Sequence, residues 1–186
     1  MTQTLTNTRI VVDHYGGPDE LRVVEEERRE PKPGEVRVRV LAAGVSLPDV
    51  MMREGIHPET PSLPFTPGWD LVGAVDEVGD GVTGIEPGQL VAALPISGAY
   101  AEYVCLPQRE LVPVPPELDA AEAVSLVLNY TTAYQMLHRC ARVNEACSCC
   151  SSSLNNVCVC VTHAATPVSS IRNLTGSVLM NKPIAP

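Results

Sequence analysis

Residues 35–40 read Glu-Val-Arg-Val-Arg-Val, which puts Val36, Val38 and Val40 on one face and Arg37 and Arg39 on the other. A period of two predicts a half-buried strand with its valines inward and both arginines toward solvent. Ala42-Ala43-Gly44-Val45 continues it. Residues 9–12 and 21–24 predict two further strands around the turn Tyr15-Gly16-Gly17-Pro18. The charged run at 25–30 predicts a solvated edge or loop, and Pro31-Lys32-Pro33-Gly34 a turn. Residues 64–79 read PFTPGWDLVGAVDEVG. Here the corner Pro67-Gly68 feeds an apolar run, 71–75, that predicts a buried strand. Gly68, Gly73 and Gly79 punctuate it, which predicts a bulge or a close backbone approach.

The remaining pattern is similar in kind. Glu86-Pro87-Gly88-Gln89 turns into an apolar strand at Leu90-Val91, and residues 97–104 predict another strand. Ser46-Leu47-Pro48-Asp49 opens a short helix over 50–54 that Gly55 ends. Asp49 would then sit at a helix N-terminus, where a carboxylate is favourable to the dipole. Residues 111–116 are Pro-rich and extended. Asp119 to Glu122, reading DAAE, predicts a capped helix start with the helix running over 120–128, and a second helix follows over about 131–141. The fold class expected is mostly β with short helices.

Composition narrows the partners. The chain has 186 residues, is 45% hydrophobic and carries a net charge of −9. Such acidity disfavours nucleic acid and anionic membranes as partners. No apolar run approaches the ~18 residues of a membrane span, and the N-terminus shows no secretory pattern, so a cytoplasmic location is expected. Of seven cysteines, Cys105 and Cys140 are isolated, and Cys147, Cys149, Cys150, Cys158 and Cys160 crowd one short stretch.

Several of these blocks together carry a resemblance. GGPDEL, PKPGEVRVRVLAAGVS, PFTPGWDLVGAVDEVG, SGAYAEYV and NYTTAY resemble the medium-chain dehydrogenase/reductase superfamily, and within it the zinc-free quinone oxidoreductase branch. The resemblance covers about residues 5 to 143. It implies a GroES-like, partly open β-barrel over residues 1–125 and a linking helix over 126–143. A nucleotide-binding Rossmann domain would follow. In the zinc enzymes of the superfamily a His follows the first Gly of the signature and a Cys stands at the position of Ser46. Here the first is Trp69, which has no lone pair for a metal, and the stretch 1–104 holds no cysteine for a structural metal. No metal site is expected. The resemblance implies NADPH as cofactor, a quinone or activated enone as substrate, and a possible homodimer. It places Ser46, Asp49, Asn129 and Thr132 on the nicotinamide and substrate wall. Ser46 departs from the Asn usual in that branch, and its side chain is shorter. A backbone-capping Thr is the alternative reading of Thr132. No residue is expected to act as general acid or base, and His57 and His138 read as a loop and a helix-surface residue.

After Val143 the resemblance ends. The expected Pro-Gly turn, buried strand and Gly-rich pyrophosphate loop do not follow. Residues 144–186 form an atypical Cys/Ser-rich tail with one glycine, Gly176, and between 145 and 186 only Glu145, Arg172 and Lys182 are charged. The Rossmann domain reads as absent or truncated and the tail as out-of-frame or foreign sequence. A soft-ligand module of C-x-C-C-x7-C-x-C with His163, or a Cys-rich packed segment, are the competing readings. Two functions follow: an NADPH-dependent, zinc-independent oxidoreductase, weak or inactive without its nucleotide domain, or a non-catalytic β-barrel fragment that binds or dimerises.

Overall fold

A computed structural model describes residues 5–141. The cysteine-rich stretch 144–186, with its proposed ligands, lies outside the described residues. Strands β1 (Thr6–Val12) and β2 (Leu21–Glu27) pair antiparallel as a two-stranded sheet. Strands β3 (Glu35–Ala43), β4 (Leu71–Val78), β5 (Leu90–Ala93), β6 (Tyr103–Pro107) and β7 (Val112–Pro113) form a second sheet in the order β6-β3-β4-β5-β7. Isolated bridges from Arg9 to Ala101 and from Val12 to Phe65 tie the first sheet to the loops of the second. The architecture is mostly β with few, short helices, and its sheets are open rather than closed into a barrel.

The apolar face of β3 behaves as its pattern predicts. Val36 and Val38 are fully buried with Leu71, Val75, Val91, Ala93, Ala99 and Leu111 in the main core. Gly73 faces the β3 backbone so closely that a Cβ would lie 2.4 Å from the Arg39 carbonyl oxygen. The β3–β4 register slips beside this contact, between Val40 and Ala42. The glycine is therefore a space requirement of the strand pair.

Three expectations are corrected. Arg37 is buried rather than solvated, because it holds Asp76 at 2.6 Å, Glu77, and the Arg29 carbonyl at 3.2 Å. A strand pattern of period two cannot show that carboxylates on β4 will cover one arginine and not the next. The strand expected at 97–104 starts only at Tyr103, and the residues before it form irregular crossings, with Ile10 donating to the Tyr100 carbonyl. The two helices expected at 120–128 and 131–141 are one helical run. Helix α1 (Leu47–Arg53) is separate and short. Helix α2 (Ala120–Ser125) passes into a wide π-type turn at Leu126–Tyr130, then α3 (Thr131–Gln135), then a second wide turn at Met136–Cys140. Ser125, Leu126, Tyr130, Thr131 and Met136 all keep right-handed helical angles. No Pro or Gly interrupts 120–140, and the Leu126 carbonyl accepts both the Thr131 amide across the wide turn and Thr131 Oγ1 at 2.8 Å. Asp119 caps the run as expected, accepting from the Ala121 and Glu122 amides at 3.0 and 3.1 Å. Ala123 and Val124 bury the inner face of α2 against Val72 and Ala92.

Candidate functional site

The site is built where β3 runs out and α1 begins. Ser46 precedes α1 in extended conformation, and Asp49 stands in its first turn. The Ser46 amide and hydroxyl both donate to Asp49 Oδ2, at 2.9 and 2.7 Å. The other carboxylate oxygen, Oδ1, accepts the Gly68 amide at 3.0 Å. Asp49 is 5% exposed, so the expected helix-end carboxylate also joins α1 to the signature corner. Gly68 has φ +105°, and a Cβ there would meet Tyr100 and Ala99 within 3 Å. Both its dihedral and its crowding call for glycine.

Two residues missing from the expected site belong to it. Tyr100 donates its phenol to the Gly44 carbonyl at 3.1 Å. Burial, then the nearby Asp49 charge and a hydrogen bond with it, then Asp70, push this phenol above its ordinary range, so it remains a donor at neutral pH. Asp70 is 1% exposed, and its Oδ1 has no hydrogen-bond partner. Burial first and the Asp49 charge second push its carboxyl upward, against the easing effect of the Leu128 and Gly44 amides. Its Oδ1 sits 2.3 Å from where a Gly44 Cβ would be. Asp70 and Tyr100 were visible within the two signature blocks PFTPGWDLVG and SGAYAEYV, but no spacing rule joins positions thirty residues apart.

Trp69 is half-buried, donates its indole N–H to Met52 Sδ at 3.2 Å, and meets the His57 ring edge-on at a centroid distance of 5.2 Å. Among the described residues no group of three His, Cys, Asp or Glu side chains is placed to hold a metal ion. His138 is exposed and stacks on Tyr134 at 4.3 Å.

The structure joins Ser46 to Asp49 and leaves the other two candidates apart from them. Asn129 lies in the wide turn Leu126–Tyr130 and Thr132 in α3, both exposed. Among the described residues neither makes a hydrogen bond to Ser46 or Asp49. It is Thr131, not Thr132, whose hydroxyl is spent on its own helix. Among the described residues the Thr132 hydroxyl and the Asn129 amide make no side-chain hydrogen bond, and both are exposed. The Ser46 hydroxyl, with its one proton given to Asp49, offers acceptor lone pairs.

Known proteins share this fold. Residues 32–116 match the family "Alcohol dehydrogenase GroES-like domain". The human synaptic vesicle membrane protein VAT-1 homolog-like is 35% identical over 139 residues, which are 75% of this chain and 33% of that protein. Its crystal structure superposes with a TM-score of 0.71 at 34% identity, over 76% of this chain and 46% of that one. Quinone oxidoreductase of Lama guanicoe is 33% identical over 141 residues, 74% of this chain and 43% of that protein. The Escherichia coli quinone oxidoreductase, solved in complex with NADPH, gives a TM-score of 0.67 at 30% identity, over 72% of this chain and 41% of that one. The chain thus carries a match to the GroES-like domain of alcohol dehydrogenases, and the relatives it resembles are quinone oxidoreductases and VAT-1 proteins of the medium-chain dehydrogenase/reductase superfamily. It spans between a third and a half of the length of these relatives.

Proposed function

We propose that the chain carries the substrate-side half of a nicotinamide-dependent, zinc-independent oxidoreductase that reduces a quinone or an activated enone. The observation that carries the reading is Trp69 at the signature position, bound to Met52 beside the Ser46–Asp49 pair. An indole has no lone pair for a metal, so substrate polarisation falls to hydrogen bonds. NADPH, the ligand of the E. coli relative, would supply the hydride. Ser46, held by Asp49, would accept from the carboxamide, and Asn129 and Thr132 would offer donors to the cofactor or to the substrate oxygen. Water supplies the proton that completes the reduction. A quinone or enone suits a site without a metal because its reduced form delocalises charge. The acidic chain suits a small-molecule partner rather than nucleic acid. Among the described residues no helix is long and apolar enough to cross a membrane, and we place the reaction in the cytoplasm.

The test is a titration of NADPH into the purified chain, followed by fluorescence, and then 340 nm absorbance with 1,4-naphthoquinone. Saturable binding supports the reading; a chain that retains no NADPH refutes it. One observation favours the second reading, a non-catalytic binding or dimerising fragment. Leu126, Tyr130, Tyr134 and Met136 lie exposed along one helical run. Absence of NADPH binding together with concentration-dependent self-association would select that reading.

A further inference from the structure

Gly44-Val45-Ser46 links β3 to α1, and Gly44 is held from two sides. Its amide donates to the Asp70 carbonyl at 3.3 Å, and the Asp70 carboxyl fills the space where its side chain would be. Its carbonyl accepts the Tyr100 phenol at 3.1 Å. Two residues on, the Ser46 amide and hydroxyl are fixed by the Asp49 carboxylate. Tyr100 itself is pinned by its own backbone: its amide donates to Pro67 and its carbonyl accepts Ile10, at 3.0 and 2.8 Å. The Tyr100 ring packs on Gly68, whose missing Cβ would lie 2.7 Å from it.

We propose that Tyr100 is a positioning residue for Ser46, holding the Gly44–Ser46 segment through the Gly44 carbonyl. One hydroxyl thus ties the segment after β3 to the loop before β6. The chemistry at Ser46, an acceptor turned toward a carboxamide, depends on that tie. This role rests on the nicotinamide reading given above.

Tyr100→Phe removes the hydroxyl alone and leaves the ring on Gly68. Hydrogen exchange of the intact chain should then quicken about tenfold at the amides of residues 44–50, as expected where one to two kcal/mol of local holding is lost. Amides of β3 through β5 that exchange by local opening should hold, and the urea midpoint should fall only slightly. NADPH affinity should fall about fivefold in the same variant. Tyr100→Leu, which loses the ring as well, should quicken exchange across the whole main sheet. An unchanged 44–50 segment in Tyr100→Phe, or uniform quickening of the sheet, overturns the proposal. If the unsubstituted chain binds no NADPH, the functional reading fails, and the exchange result still decides the role of Tyr100.

Discussion

Asp49 and Gly68, nineteen positions apart, meet through a buried hydrogen bond of 3.0 Å from the Gly68 amide to Asp49 Oδ1. The bond ties the first turn of α1 to the corner that launches β4. Its other oxygen serves Ser46, so no part of this carboxylate is idle. Asp49→Ala should lower stability by about 2–4 kcal/mol, combining a lost cap with a buried amide left unpaired. Asp49→Asn keeps an oxygen for Gly68 and should cost about half as much. Urea denaturation of the two variants measures both.

Asp70 gives a pH prediction with a definite sign. Burial raises its folded value, and the Asp49 charge adds to the shift. A carboxyl that is harder to ionise when folded opposes folding above its unfolded value, and that cost grows as pH rises from there to the folded value. Asp70→Asn should therefore raise the melting temperature at pH 7, and the gain should vanish below the ordinary carboxylate range. A gain that persists at pH 3 would show that charge is not its source.

Arg37 is mostly enclosed between Asp76 and Glu77, with Arg28 approaching Asp76 at 3.8 Å. Glu77 is half-exposed, so the cluster is worth less than a fully buried network. Arg37→Ala should cost about 2–3 kcal/mol, mostly from Asp76 left short of a partner. Arg39→Ala, on the same strand and exposed, should cost under about 0.5 kcal/mol. The pair of thermal melts tests whether the partner, rather than the charge alone, sets the loss.

Metal removal tests the chemistry of Trp69. Dialysis against EDTA should change neither NADPH binding nor naphthoquinone-dependent oxidation, and elemental analysis should find less than about one zinc in ten chains. Activity abolished by EDTA and restored by zinc would overturn the zinc-independent reading.

The Cys105 thiol is half-buried, and burial pushes its ionisation upward despite Arg29 nearby. Peptide-resolved alkylation at pH 8 should label exposed Cys140 at least about tenfold faster than Cys105. Equal rates would mean that β6 opens readily from the sheet.

The sequence by itself determined the strands whose apolar period is strong, the glycines at 68 and 73, the Asp119 cap and the Ser46–Asp49 spacing. Each depends on neighbours within a few residues, so local pattern and steric need suffice. The signature blocks also carried the superfamily. Tertiary structure alone decided that Arg37 is buried while Arg39 is not, because the deciding carboxylates lie on another strand. It alone merged two helices into one run, since a wide turn is stabilised by a Thr131 bond that no periodicity reveals. It alone brought Tyr100 and Asp70 against Gly44, where the absence of one side chain makes room for a carboxyl from elsewhere. Contacts of that kind depend on packing between distant segments, and one-dimensional pattern carries no measure of it.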